Sequence, residues 1–253
     1  MLQLLLVLFV LTLPQAAAKP AVQCANIWQN RNAEIEEYLR TAKVEKVVEI
    51  PIGVTRPHRA YLAAGGPVDS FAWKPLEPGM RNGYFESYKS EIAAYEFDKL
   101  LSLNMVPVVV ERRIDSEAGA AVLWLTGVRS WESVLPLPKP PTWDQQIARM
   151  KMLDDLIGNS DRNKGNLLVD ADWHIYLIDH SRAFATDLKL PQELQNIDRR
   201  LWERMLALDE MVLKKSLGPW IDGRQILALL RRRDAMKKKI DALVVKRGES
   251  VFF

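Results

Sequence analysis

An α+β fold in two lobes, a β-rich N-terminal lobe with one long helix and a mainly helical C-terminal lobe, is what this 253-residue sequence predicts. Three observations carry that expectation. Strand-like apolar runs fill most of residues 44–128 and are interrupted by one helical stretch. Pro136, Pro138, Pro140 and Pro141 then cluster in a stretch that suits neither a helix nor a central strand, and reads as a connection between lobes. Beyond it the period is helical almost throughout. The chain is long enough to bury a sizeable core as one large domain or two small ones. With 48% apolar and 26% charged residues it is not a disordered tail, a collagen-like fibre or a polytopic membrane protein. Its one cysteine, Cys24, can form no internal disulfide and no Cys-based zinc site. The formal charge of +3 gives no reason to expect a specific nucleic acid partner, but its distribution is uneven. Between Arg224 and Arg247 nine basic residues accompany two acidic ones.

The elements follow in order. Leu2 to Leu13 is almost wholly apolar and is followed by Pro14 and Ala16-Ala17-Ala18, so residues 1–18 read as a signal peptide cleaved after Ala18. That predicts an exported protein, periplasmic, secreted or in a secretory-pathway lumen; without such a signal it would be cytoplasmic. Lys and Arg are absent before the run, which departs from the usual pattern. Residues 19–43 form an N-terminal helical extension, with helical spacing over 26–40. Residues 44–128 form the first lobe, with strands at 47–54, 58–63 and 71–76, a helix over 84–101 and strands at 106–114 and 120–128. Tyr88, Ile92, Tyr95 and Leu100 mark the apolar side of that helix. Residues 129–253 form the second lobe: a helix over 143–157, a hairpin of 166–169 and 173–178 turning at Asp170-Ala171-Asp172, and helices over 201–217 and 221–245. No internal repeat is visible.

The chemistry concentrates between Gly158 and Arg182. Asp161 is followed five residues later by Asn166, then by the hairpin, then by Asp179 at the end of its second strand. Phosphoryl transfer from ATP needs a carboxylate that orients an acceptor hydroxyl and takes its proton. It also needs a neutral oxygen donor and a second carboxylate for the metal ions that bridge the phosphates. Asp161, Asn166 and Asp179 supply that set. A lone Asp-x4-Asn would equally be a turn satisfying its own backbone donors. The complete arrangement, after a helix and before a strand ending in Asp-His-Ser, favours the functional reading.

This stretch, with Leu177-Ile-Asp-His-Ser-Arg-Ala-Phe184, resembles the atypical protein-kinase-like group that includes phosphatidylinositol kinases, the HipA toxin kinases and the Golgi casein kinase family. Ser90-Glu91-Ile-Ala-Ala-Tyr95, Asp98-Lys99-Leu-Leu101 and Val106-Pro107 look closest to the secretory-pathway branch and its bacterial relatives, and Phe71-Ala-Trp-Lys74-Pro75 is a third match. The resemblance implies a two-lobed protein-kinase-like fold. It also implies an ATP- and metal-dependent kinase, using Mg2+ or Mn2+, that transfers the γ-phosphoryl group to a hydroxyl-bearing acceptor (protein, glycan or lipid). In its terms Lys74 contacts the nucleotide phosphates, Glu91 pairs with Lys74, Asp161 is catalytic, and Asn166 and Asp179 hold metal. Independently, a lysine on a strand beside Phe71, Trp73 and Leu76 should be partly buried and need a nearby carboxylate. Ser160 precedes Asp161, so the His-Arg-Asp triplet of ordinary protein kinases is absent, as are the cysteines of animal secretory kinases.

Other residues stay open. The segment over 53–59 has one glycine where protein kinases carry a glycine-rich turn. Gly53, Thr55, Arg56 and Arg59 suit either phosphate or an exposed polar turn. Leu123 and Leu125, flanking Trp124, read as an adenine-contacting strand or as plain core. His58, His174 and His180 have no ligand spacing, which argues against a zinc hydrolase, and neither a Gly-x-Ser-x-Gly elbow nor a Cys–His pairing is found. Arg231-Arg-Arg233 and Lys237-Lys-Lys239 lie on a helix whose apolar stripe is Leu227, Leu230, Ile240 and Leu243, so they form a solvated basic face or meet an anionic partner. The alternatives to catalysis are a nucleotide-binding pseudokinase and a basic-surface binding module.

Overall fold

The computed structural model describes residues 26–50 and 57–253. A first helix, α1 (Asn32–Thr41), buries Ile35 and Leu39. Strands β1 (Val44–Glu49), β2 (His58–Leu62) and β3 (Ser70–Lys74) follow. A short hairpin of β4 (Gly79–Arg81) and β5 (Tyr84–Glu86) precedes the long helix α2 (Tyr88–Leu101), and β6 (Val109–Ile114) and β7 (Glu117–Leu123) come after it. The five longer strands make one antiparallel sheet ordered β1-β2-β3-β7-β6. Lys74 lies opposite Ala120 and Phe71 opposite Leu123, so β3 is a central strand whose apolar residues are covered while its last side chain emerges at one end.

The long helix begins four residues later than its apolar spacing predicts. Asn82 and Gly83 both take positive φ, 49° and 81°, which turns the chain within two residues and pairs Tyr84–Glu86 with Gly79–Arg81. Ser87 then caps α2, its hydroxyl accepting the Lys89 N–H at 3.0 Å. At the other end, the Asp98 carboxylate accepts the backbone N–H groups of Asn104, Met105 and Val106. Met105 in turn accepts the Leu177 N–H at 2.9 Å, which fastens the strand leading to Asp179 under the helix that carries Glu91.

The second lobe opens with β8 (Arg129–Ser130) and a single helical turn, α3 (Trp131–Val134), ahead of the prolines. Helix α4 (Trp143–Ile157) ends where Gly158 takes φ +65°, the left-handed stop that glycine permits. A 3-10 turn (Lys164–Asn166) leads into β9 (Leu167–Val169) and β10 (Ile175–Leu177), which form a sheet ordered β10-β9-β8. Helices α5 (Arg199–Leu206), α6 (Glu210–Leu217) and α7 (Gly223–Arg247) complete the lobe. The helix expected over 201–217 is two helices because Asp209 is extended and caps α6 through the Val212 N–H at 2.8 Å.

The buried stripe of α7 also differs from expectation. It runs through Ile226, Leu229, Arg232, Met236 and Ile240, while Leu227 faces solvent. Arg232 is wholly buried; its Nε donates to Leu156 O at 3.0 Å and its Nη1 to Ala185 O and Asp187 O at 2.8 and 2.7 Å. A Cβ on Gly158 would lie 2.8 Å from the guanidinium carbon, so this glycine also makes room for that arginine. Arg233 donates to Leu208 O. The basic triplet is therefore not one solvated face, because two of its three members brace the fold. No helix among the described residues is long and apolar enough to cross a membrane.

Candidate functional site

Lys74, at the end of β3, meets Glu91 from α2 and Asp179 from the segment after β10. Its Nζ donates to Glu91 Oε1 at 2.6 Å and to Asp179 Oδ1 at 3.0 Å. The side chains of Lys74 and Glu91 are 11% and 1% exposed, that of Asp179 34%. Burial alone would lower the pKa of the ammonium. Glu91 and Asp179 more than compensate and hold its pKa above the ordinary lysine value. The Lys74 charge in turn brings the Asp179 carboxyl down to about 2 against the effect of burial, so Asp179 is ionised at neutral pH. Asp179 has φ +62°, a left-handed backbone that a residue other than glycine keeps only where its surroundings fix it. Glu91 Oε2 also accepts the His180 N–H at 2.9 Å, which ties the residue after Asp179 to α2.

The loop after α4 is held by its own amides. Asn159 Nδ2 donates to Asp154 Oδ1 at 2.9 Å, and Asn159 Oδ1 accepts the Asp161 N–H at 3.3 Å. The carbonyl of Asp161 accepts from the Asn163 N–H and from Asn166 Nδ2, both at 2.9 Å. The Asn166 carbonyl accepts the Ile178 N–H at 3.1 Å, which sets Asn166 beside the strand end that leads into Asp179. With Nδ2 committed to a carbonyl, Asn166 Oδ1 has no hydrogen-bond donor among the described residues. An amide oxygen and an ionised carboxylate on adjacent backbone are a donor set that fits a hard divalent cation. The Asp161 carboxylate is 35% exposed, with Oδ2 3.2 Å from Arg182 Nη1.

Behind the loop lies a sealed network that sequence reasoning passed over. Arg162 and Asp154 form a two-pronged ion pair at 2.9 and 3.0 Å, their side chains 3% and 0% exposed. Arg162 Nη1 also donates to the carbonyls of Asn166 and Ile178, at 3.0 and 2.9 Å. Its Nη2 lies 2.8 Å from His180 Nε2. A guanidinium can only donate, so Nε2 accepts and the imidazole proton sits on Nδ1. Burial, with the charges of Arg162 and Lys74, pushes the His180 pKa well below its ordinary value and keeps the ring neutral. Arg162 thus fastens the Asp161–Asn166 loop to the β10 end. One signal was present in the sequence: Asp154 sits among Leu153, Leu156 and Ile157 on a helix, and a carboxylate at a core position needs a partner. Glu86 and Arg182, bonded at 2.8 Å, were missed as well, and nothing local in the sequence connects them.

The remaining expected residues fall elsewhere. Gly53, Thr55 and Arg56 lie outside the described residues. Arg59 is engaged away from Lys74: it donates to Ser70 Oγ and its guanidinium lies 4.2 Å over the Trp124 ring. Leu123 and Leu125 are buried, and the N–H groups of Leu123 and Trp124 are used inside the sheet, on Val108 O and Ser70 O. His174 joins Asp170 and Asp172 in the β9–β10 turn, where the Asp170 carboxylate already accepts two backbone N–H groups, the Tyr176 hydroxyl and a His174 ring nitrogen.

No family model and no curated protein matches the chain. Solved structures do. Hydra Fam20 with sugar superposes with a TM-score of 0.71 at 17% identity, over 87% of this chain and 91% of that one. The Golgi casein kinase follows at 0.67 and 15%, over 87% and 76%. The Helicobacter pylori proinflammatory kinase CtkA gives 0.51 and 13%, over 83% and 97%. Identities this low carry the fold alone. The protein has the two-lobed, atypical protein-kinase-like fold.

Proposed function

We propose that this protein is a kinase that moves the γ-phosphoryl group of ATP to a hydroxyl acceptor with the help of a divalent metal. The observation that carries the reading is the convergence of Lys74, Glu91 and Asp179, from three separate elements, on one another at 2.6 and 3.0 Å. Lys74, oriented by Glu91, meets the nucleotide phosphates. Asn166 Oδ1 and the Asp179 carboxylate hold the cation. When bound, Mg2+ or Mn2+ neutralises charge on the phosphates. Asp161, partly exposed and paired with Arg182, orients the acceptor hydroxyl and takes its proton as the acceptor oxygen bonds to the γ-phosphorus and the bond to the ADP oxygen breaks. Buried Leu123 and Leu125 flank the adenine; Gly53, Thr55 and Arg56, the candidates for phosphate contact, lie outside the described residues.

The neighbours support the finer points. A Golgi casein kinase structure carries Mn and ADP, which favours Mn2+ as the ion to try first. A sugar in one neighbour and casein in the name of another favour a glycan or protein acceptor over a lipid. Export rests on the signal-like residues 1–18, which lie outside the described residues. An anionic partner at α7 rests on Arg231, Lys238 and Lys239, which stay exposed.

Asp179→Ala tests the reading, because Lys74 keeps Glu91 and the fold loses little. Calorimetry with Mn–ATP should show metal-dependent binding in the parent protein and none in the variant. An unchanged affinity would remove the assignment of Asp179, and with it the metal-dependent mechanism.

A further inference from the structure

Arg182 is tied into the site more firmly than its place after the Asp179-His-Ser stretch requires. Its Nε donates to Glu86 Oε1 at 2.8 Å, its Nη1 lies 3.2 Å from Asp161 Oδ2, and its guanidinium carbon sits 4.4 Å over the Tyr84 ring. The Glu86 carboxylate is itself buried, with its side chain 6% exposed. The backbone on either side is gripped by the start of α2. Ser181 O accepts the Ser87 N–H, and Ala183 O accepts the Ser90 hydroxyl, both at 3.0 Å. Together with the His180 N–H on Glu91, four consecutive residues, 180–183, are each bound by a residue from 86–91. The Arg182 side chain therefore has little freedom: its root, its stacked face and one edge of its fork are all fixed.

Asp161 differs. Its backbone is fixed by Asn159, Asn163 and Asn166, but among the described residues the ion pair to Arg182 is the contact that its carboxylate makes. We propose that Arg182 is a positioning residue for phosphoryl transfer. It holds Asp161 Oδ2, leaves Oδ1 for the acceptor hydroxyl, and through Glu86 locks that carboxylate in register with the element that carries Glu91. This rests on the kinase reading given above. The planar guanidinium fork serves Glu86 with one nitrogen and Asp161 with another, an arrangement that a point-charge ammonium reproduces only in part. Misplacing a catalytic group by about 1 Å costs on the order of 100-fold in rate.

The test is a double-mutant cycle on turnover, read as ADP release from Mn–ATP with water, a serine peptide or a monosaccharide as acceptor. Arg182→Ala should lower kcat by about 100-fold while leaving the KM for ATP and the Mn–ATP thermal shift unchanged. Arg182→Lys should recover part of the loss. On an Asp161→Ala background, Arg182→Ala should cost nothing further, because its effect passes through the missing carboxylate. Losses that multiply would overturn the positioning role alone, as would a raised KM for ATP with kcat intact. A wild-type protein that binds no Mn–ATP and releases no ADP would overturn the kinase reading, and this one with it. Should Arg182→Ala fail to fold, Glu86→Gln serves instead: it keeps a neutral acceptor for Nε and should show the same non-additivity with Asp161→Ala.

Discussion

Two buried cations sit close to the same strand end, and they are satisfied to different degrees. Arg162 has five N–H bonds and five acceptors: both Asp154 oxygens, the carbonyls of Asn166 and Ile178, and His180 Nε2. Lys74 has three protons and meets two carboxylates, one of which, Asp179, is about a third exposed. The saturated cluster can hold a loop in one geometry and can bind nothing else. The unsaturated one can exchange a carboxylate contact for a ligand at little cost. Both networks are ionic and buried, so burial and charge alone do not tell a scaffold from a reactive centre. The count of unmet donors and acceptors does.

The sharpest way to break this comparison is to remove a cation from the saturated side. Arg162→Met leaves Asp154 buried without its partner and should cost roughly 3–5 kcal/mol of stability, measured by urea unfolding. A loss below about 1 kcal/mol would mean that the network is not the scaffold described. Glu91→Gln probes the unsaturated side. It keeps one acceptor and loses one, while Lys74 retains Asp179, so the expected loss is about 1–2 kcal/mol together with weakened turnover. If Glu91→Gln destabilised the apo protein as much as Arg162→Met, the distinction between the two clusters would collapse.

A third, smaller effect concerns Asp155, the neighbour of Asp154. Its side chain is wholly buried, one oxygen accepts the Gln192 N–H at 2.6 Å, and the other has no partner among the described residues. Burial pushes its carboxyl up to about 6. A carboxyl that binds its proton more tightly when folded subtracts stability as pH rises from its unfolded value, about 4, to its folded one. The contribution of Asp155 to stability should therefore fall from about pH 4 to about pH 6 and level off above that. Asp155→Asn should flatten this part of the profile, and an unaltered profile would contradict the protonated acid.

Much of this was legible because it is local. Asp161, Asn166 and Asp179 fall within one loop and hairpin, and α4 stops at Gly158 because a glycine follows the last apolar position. The pairing of Lys74 with Glu91 was implied by the family resemblance, while the residues alone said only that a lysine on an apolar strand needs a nearby carboxylate. The start of α2 was misread because Tyr84 and Phe85 fit helical spacing as well as a strand, and only the Asn82-Gly83 turn separates the two. Arg232 was misread because three adjacent basic residues look alike in sequence, whichever of them turns inward. The Glu86–Arg182–Asp161 chain spans 96 residues between its first two members, and no periodicity encodes a contact at that distance.

The central claim is that Asp161 acts on the acceptor while Lys74, Asn166 and Asp179 act on the nucleotide. It is tested most directly by Asp161→Ala, with Mn–ATP thermal shift and labelled-phosphate transfer measured on the same preparation as wild type. The account predicts equal thermal shifts and a transfer rate lower by about 10²–10⁴-fold in the variant. Equal transfer by the two proteins, or loss of the thermal shift in the variant, would contradict it.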